Sequence, residues 1–223
     1  MREVEALLAL QEYPNIVKLL DVMRDEESDS RVYLVFELMA TDLRHLIMKH
    51  AQSGRPQGLG VYDVLSFTKQ LLRAVQHIHS RGMAHRDIKS HNILIGEPGS
   101  FVDDDGNRGR MLKVADFGLS RVIASPPKPM TKEICTLNWR APEVMLDNLR
   151  YSPAVDMWSI GVVLHEMITG MLPFEGSSEI EVLFSIFRKK GTPSEHEAVF
   201  FTRSPVLRLY VAALPKFETK NAF

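Results

Sequence analysis

The chain has 223 residues, enough for one large domain or two small lobes around a buried core. Hydrophobic residues at 45% and charged residues at 25% exclude wholesale disorder, and 27 basic against 28 acidic side chains offer no basic surface for nucleic acid or an acidic membrane. Cys135 is the single cysteine, which excludes an internal disulfide and a cysteine-built zinc site.

Residues 2–13 read as a short helix with Glu3, Leu7 and Leu10 on one face, ended by Pro14. The apolar stretch within it is too short for a signal-peptide core, and no run approaches a membrane span, so a cytoplasmic or nuclear location is the default expectation. Two extended segments follow, 16–20 and 32–36, separated by the charged turn RDEESDS. A helix is expected near 43–50, then a Gly/Pro/Gln loop over 53–60. The stretch 61–80 is strongly amphipathic, with Val64, Leu71 and Ile78 on one face, Leu65 and Leu72 beside them, and Gly82 as the stop. Segments 93–95 and 111–115 form a small hairpin joined by an acidic loop, 96–110, whose Asp103-Asp104-Asp105-Gly106 run lacks calcium-loop spacing and reads as a solvated insert. Residues 154–169 are apolar nearly all round, as in a helix buried at the centre of a domain. His77 and His79 point to different faces of their helix and make a poor metal site.

Three strings carry the chemistry: HRDIKSHN at 85–92, ADFGLSR at 115–121 and WRAPE at 139–143. In this order and spacing they resemble the eukaryotic protein kinases of the serine/threonine type. The resemblance implies an α+β, protein-kinase-like fold: residues 1–36 a remnant of the N-lobe, 37–42 the hinge, and 43–223 a mostly helical C-lobe lacking its last helices. It implies ATP and Mg²⁺ as cofactors and protein hydroxyls as substrates. Asp87 occupies the place of the carboxylate that orients the substrate hydroxyl, and Lys89 that of the cation facing the transferring phosphoryl group. Thr136 would hydrogen-bond both, and Asn92 and Asp116 would supply hard oxygen ligands to Mg²⁺. His85 and Phe117 match the family's internal stack, with Leu7 and Leu19 as its upper members.

For the nucleotide, the resemblance places Phe36 behind the adenine pocket, backbone groups of Glu37 and Met39 on the adenine edge, Asp42 at the ribose and Leu94 on the floor. Glu3 is the expected partner of a phosphate-binding lysine.

PNIVKLLDV at 14–22, ICTLNWRAPE at 134–143, GSSEIEVLFSIF at 176–187 and GTP at 191–193 are similar to the cyclin-dependent and mitogen-activated branch, and Glu133 favours its cyclin-dependent side. Thr131 then stands at the activating-phosphorylation position, with Arg2, Arg86 and Arg121 as the cations a phosphate needs; three solvated arginines are the plainer alternative. A cyclin-like activating subunit is the implied partner, and Arg140 suggests proline after the phosphoacceptor. Ser90 replaces the usual proline of the catalytic loop, Asn138 and Trp139 replace the usual Trp-Tyr pair, and Cys135 reads as a small packed residue rather than a redox-sensitive one. The glycine-rich loop, its following lysine and the last helices have no counterpart in these residues, so an incomplete catalytic domain is expected, with Glu143 left without its usual arginine. A catalytically inactive kinase-like binding module is the alternative.

Overall fold

Two long helices, α3 (Val61–Ser80) and α5 (Ala154–Thr169), pack against each other and form the spine of the lower part of the chain. The computed structural model describes residues 2–10, 13–24, 31–53, 58–123, 135–146, 152–194, 196–197, 211 and 214–218. None of their helices is long and apolar enough to cross a membrane.

Helix α1 (Arg2–Leu10) buries Ala6, Leu7 and Leu10, as the periodicity predicts. Strand β1 (Leu19–Arg24) pairs antiparallel with β2 (Val32–Phe36). The first strand therefore starts three residues later than expected. Ile16 and Val17 are instead plugs: both are buried, Val17 N–H donates to Val114 O at 3.0 Å, and Val114 N–H donates to Asn15 O at 2.8 Å. The hydrophobicity of 16–17 thus serves the lower lobe and not the upper ribbon.

Strand β3 (Thr41–Asp42) leads into α2 (Leu43–Gln52), where Asp42 caps the helix by accepting the His45 N–H at 2.9 Å. In α3 the buried face holds Val64, Phe67, Leu71, Ala74, Val75 and Ile78. Leu65 and Leu72, expected beside that face, point outward, because Phe67, Ala74 and Val75 fill its other flank. Gly82 follows at φ +67°, where a side chain would be strained.

Strand β4 (Met83–Ala84) pairs with β9 (Arg121–Val122), and β5 (Ile93–Ile95) lies between β3 and β8 (Leu112–Val114) in a three-stranded sheet. The insert between β5 and β8 is more ordered than its composition suggests. It forms its own hairpin, β6 (Phe101–Val102) with β7 (Arg108–Gly109), docked on α3. Asp104 meets Lys69 at 2.5 Å and Arg73 at 3.2 Å, while the Tyr62 hydroxyl donates to Asp103 at 3.1 Å. Asp104 and Asp105 are exposed, as expected, and Asp103 is half-buried; Asp103 and Asp104 are also the clasp of the loop.

After α4 (Pro142–Met145), α5 buries Val155, Ile160, Val162, Val163 and Met167, together with two acids, Asp156 and Glu166. Helix α6 (Glu179–Lys190) starts on a Ser178 cap. One continuous core runs from α1 through α3, β5, β8 and α5 to α6.

Candidate active site

The segment between β4 and β5 carries the first functional string, and it is almost wholly buried: His85, Arg86, Asp87, Ser90 and Asn92 all are. Arg86 adopts φ +69°, an unfavourable conformation for a side chain with a Cβ. What holds it there is Asp156 on α5. Its carboxylate accepts Arg86 N–H at 2.8 Å and His85 N–H at 2.9 Å, and lies 2.8 Å from His79 Nε2. His85 Nε2 donates to Ala115 O at 3.0 Å, which leaves Nδ1 to accept Asp87 N–H at 3.2 Å. Burial pushes the His85 imidazole down against the pull of Asp156, so the neutral ring that this pairing needs is favoured. Phe117 meets His85 edge-on at 4.8 Å.

Around Asp87 the expected residues converge. Lys89 Nζ lies 2.8 Å from Asp87 Oδ2 and donates to Thr136 Oγ1 at 2.9 Å. Thr136 N–H donates to Asp87 Oδ1 at 3.1 Å. Asn92 Nδ2 donates to Asp87 O at 2.9 Å and to Oδ2 at 3.0 Å. Its amide nitrogen being spent, Asn92 offers its oxygen to a cation. Ala115 N–H donates to Asn92 O at 2.9 Å and so ties this segment to the strand end that presents Asp116.

Asp116 also sits at positive φ, +60°, with Gly118 N–H donating to its carboxylate at 3.3 Å. A Cβ at Gly118 would come within 3.2 Å of that carboxylate, so glycine keeps the space beside it open. Glu3 faces the same spot. Burial and the Asp116 charge raise its carboxyl, and the Phe117 backbone N–H lowers it. No group of three or more His, Cys, Asp or Glu side chains among the described residues is placed to hold a metal alone. One carboxylate and one amide oxygen instead fit Mg²⁺, which takes few protein ligands and completes its shell with phosphate and water.

Just after β2, Glu37 N–H donates to Lys18 O at 3.1 Å, and its carboxylate accepts Lys18 N–H and Lys113 Nζ, each at 2.7 Å. Both side-chain bonds fall on Oε1, and the Glu37 N–H is already used by Lys18 O, so the backbone group Glu37 could offer a ligand is its carbonyl. Phe36 and Leu94 pack partly buried against the core, Met39 is half-buried, and Asp42 is shared between capping α2 and contacting His45 Nδ1 at 2.7 Å.

Thr131 and the Arg2 side chain lie outside the described residues. Arg86 Nε donates to Leu119 O at 2.7 Å, and Arg121 pairs in β9 with Ala84. Cys135 is buried with its thiol pushed up to about 12 by desolvation, which agrees with a packed residue. Burial also pushes the Glu143 carboxyl up. Arg140 spans Glu179 at 2.5 Å and Cys135 O at 3.0 Å. The sequence reading missed Asp156 and Glu166; the available signal was an acid on a helix otherwise apolar all round.

A protein kinase domain model matches residues 1–204. The chain belongs to the protein kinase family. This kinase-family chain is 41% identical over 197 residues to cell division control protein 2 homolog D of Antirrhinum majus, covering 87% of the chain and 59% of that relative. It is 40% identical over 200 residues to homolog C of the same plant, covering 88% and 62%. Cyclin-dependent kinase B2-1 of Arabidopsis thaliana is 38% identical over 197 residues, covering 87% and 59%. The chain therefore spans about three fifths of the length of these curated relatives. Among solved structures, a chain of the yeast RNA Pol II CTD kinase CTDK-1 complex superposes with a TM-score of 0.81 at 28% identity, over 98% of this chain and 66% of that one.

Proposed function

We propose that this chain carries the phosphoryl-transfer centre of a serine/threonine protein kinase of the cyclin-dependent type. The carrying observation is Asp87 held at once by Lys89, Asn92 and Thr136. Asp87 would receive or orient the proton of the attacking hydroxyl. Lys89, already paired with Asp87, would face the charge that builds on the transferring group. Mg-ATP supplies the phosphoryl group and neutralises its oxygens. On this reading Asn92 and Asp116 hold the metal, the backbones of Glu37 and Met39 the adenine, and Asp42 the ribose.

The branch-level reading goes further. Arg140, fixed by Glu179 and Cys135 O, supports a rigid surface for the residue after the phosphoacceptor, read as proline. A groove between α1 and β9, lined by Ala6, Ala9, Met83 and Val122, supports a protein partner of the cyclin kind at the first helix. Thr131 would carry the activating phosphate.

Calorimetric titration of the purified chain with Mg-ATP tests the core of this. Saturable binding that EDTA and Asp116→Ala both weaken is expected. Absence of binding, or binding indifferent to both, would overturn the assignment.

A further inference from the structure

Glu166 on α5 is a fully buried acid that the chemistry above does not use. Its Oε1 accepts two hydrogen bonds: from Arg44 Nη1 at 2.7 Å and from Ser90 Oγ at 3.0 Å. Its Oε2 is buried with no hydrogen-bond partner among the described residues. A buried carboxylate held by so few donors is costly, and removing one donor leaves the charge still less compensated. The two donors are not equivalent in place. Arg44 lies on the first turn of α2, two residues after Asp42 at the hinge. Ser90 lies between Lys89 and Asn92 and opens the short turn in which Asn92 N–H donates to Lys89 O at 2.9 Å.

We infer that Glu166 is a positioning residue: through Ser90 it fixes the Lys89–Asn92 turn to α5, and through Arg44 it fixes the same turn relative to the helix that follows the hinge. Ser90 stands where the usual residue is proline, which restricts the turn covalently and has no hydroxyl to donate. Here a hydrogen bond to a buried charge replaces that restriction. Because the same oxygen serves Arg44, the nucleotide end and the phosphoryl end of the site share one anchor. The consequence for turnover rests on the kinase reading; the grip itself does not.

Ser90→Ala and Glu166→Gln in the full chain separate the two. Ser90→Ala deletes one hydroxyl and leaves the Arg44 contact, and Glu166→Gln keeps the volume. With the melting temperature of Ser90→Ala within experimental error of the parent, hydrogen exchange at the Asn92 amide should quicken about tenfold in each variant. The double variant should be no faster than the faster single one, as expected for two ends of one interaction. Where the parent chain transfers phosphate, kcat should fall about tenfold in Ser90→Ala while the KM for Mg-ATP stays within about twofold. Unchanged exchange at Asn92 in Ser90→Ala, or additive effects in the double variant, overturns the inference. A parent chain that does not bind Mg-ATP yet shows the exchange response overturns the phosphoryl-transfer reading and leaves the grip standing. Should Glu166→Gln fail to fold, Ser90→Ala alone decides by the same exchange readout.

Discussion

Asp156 accepts the Arg86 backbone N–H at 2.8 Å and thereby holds Arg86 at φ +69°. The strain sits one residue before Asp87, so the direction in which that carboxylate points is set from α5. The same carboxylate binds His85 N–H and His79. Asp156→Ala would orphan three donors at a buried site. We expect a loss of roughly 3 kcal/mol or more, read by chemical denaturation, accompanied by loss of any phosphoryl transfer. A stable, active variant would mean the backbone turn is self-supporting.

Asp87→Asn keeps the shape of the side chain and one of its acceptor oxygens but removes the carboxylate that the proposed function makes the base. Mg-ATP affinity should change by less than about threefold, while phosphoryl transfer should fall by roughly a hundredfold or more. Steady-state kinetics beside a nucleotide titration separates the two quantities. Unchanged turnover would remove Asp87 from its role.

Cys135 supplies an alkaline signature. Its thiol is pushed from the ordinary 9.0 up to about 12 in the folded chain. Between those values the unfolded chain has lost a proton that the folded chain still holds, so stability falls as pH rises through this window. Denaturation of the parent and of Cys135→Ala at pH 8 to 10.5 should show the steeper decline in the parent. A thiol reagent should leave the native chain unmodified at pH 8 and label it on unfolding. Equal slopes, or rapid native labelling, would contradict the buried neutral thiol.

The residues around Asp87 were legible because they lie in one short string, where side chains two to five positions apart meet the same carboxylate. Lys89 and Asn92 reach Asp87 within one turn of chain. Asp156 and Glu166 were not legible in that way. Their partners lie about seventy or more positions away in sequence, and on a helix that reads as uniformly apolar an acid carries no period of its own. Long helices were readable from Val64, Leu71 and Ile78, but the side to which Leu65 and Leu72 turn depends on Phe67 and Val75 filling the flank first. The shift of β1 away from Ile16 has the same origin, since only the tertiary contact with Val114 decides which apolar residues pair and which plug. For the insert, composition indicated exposure but could not reveal that Lys69 and Arg73 wait on α3 for Asp104.

Glu37 has a mechanical consequence. Its carboxylate joins the Lys18 backbone N–H, just before β1, to the Lys113 ammonium in β8. The ribbon of β1 and β2 is thus tied to the lower sheet twice, through Glu37 and through the backbone bonds of Asn15 and Val17 with Val114, so turning one against the other would break an ion pair and two hydrogen bonds at once.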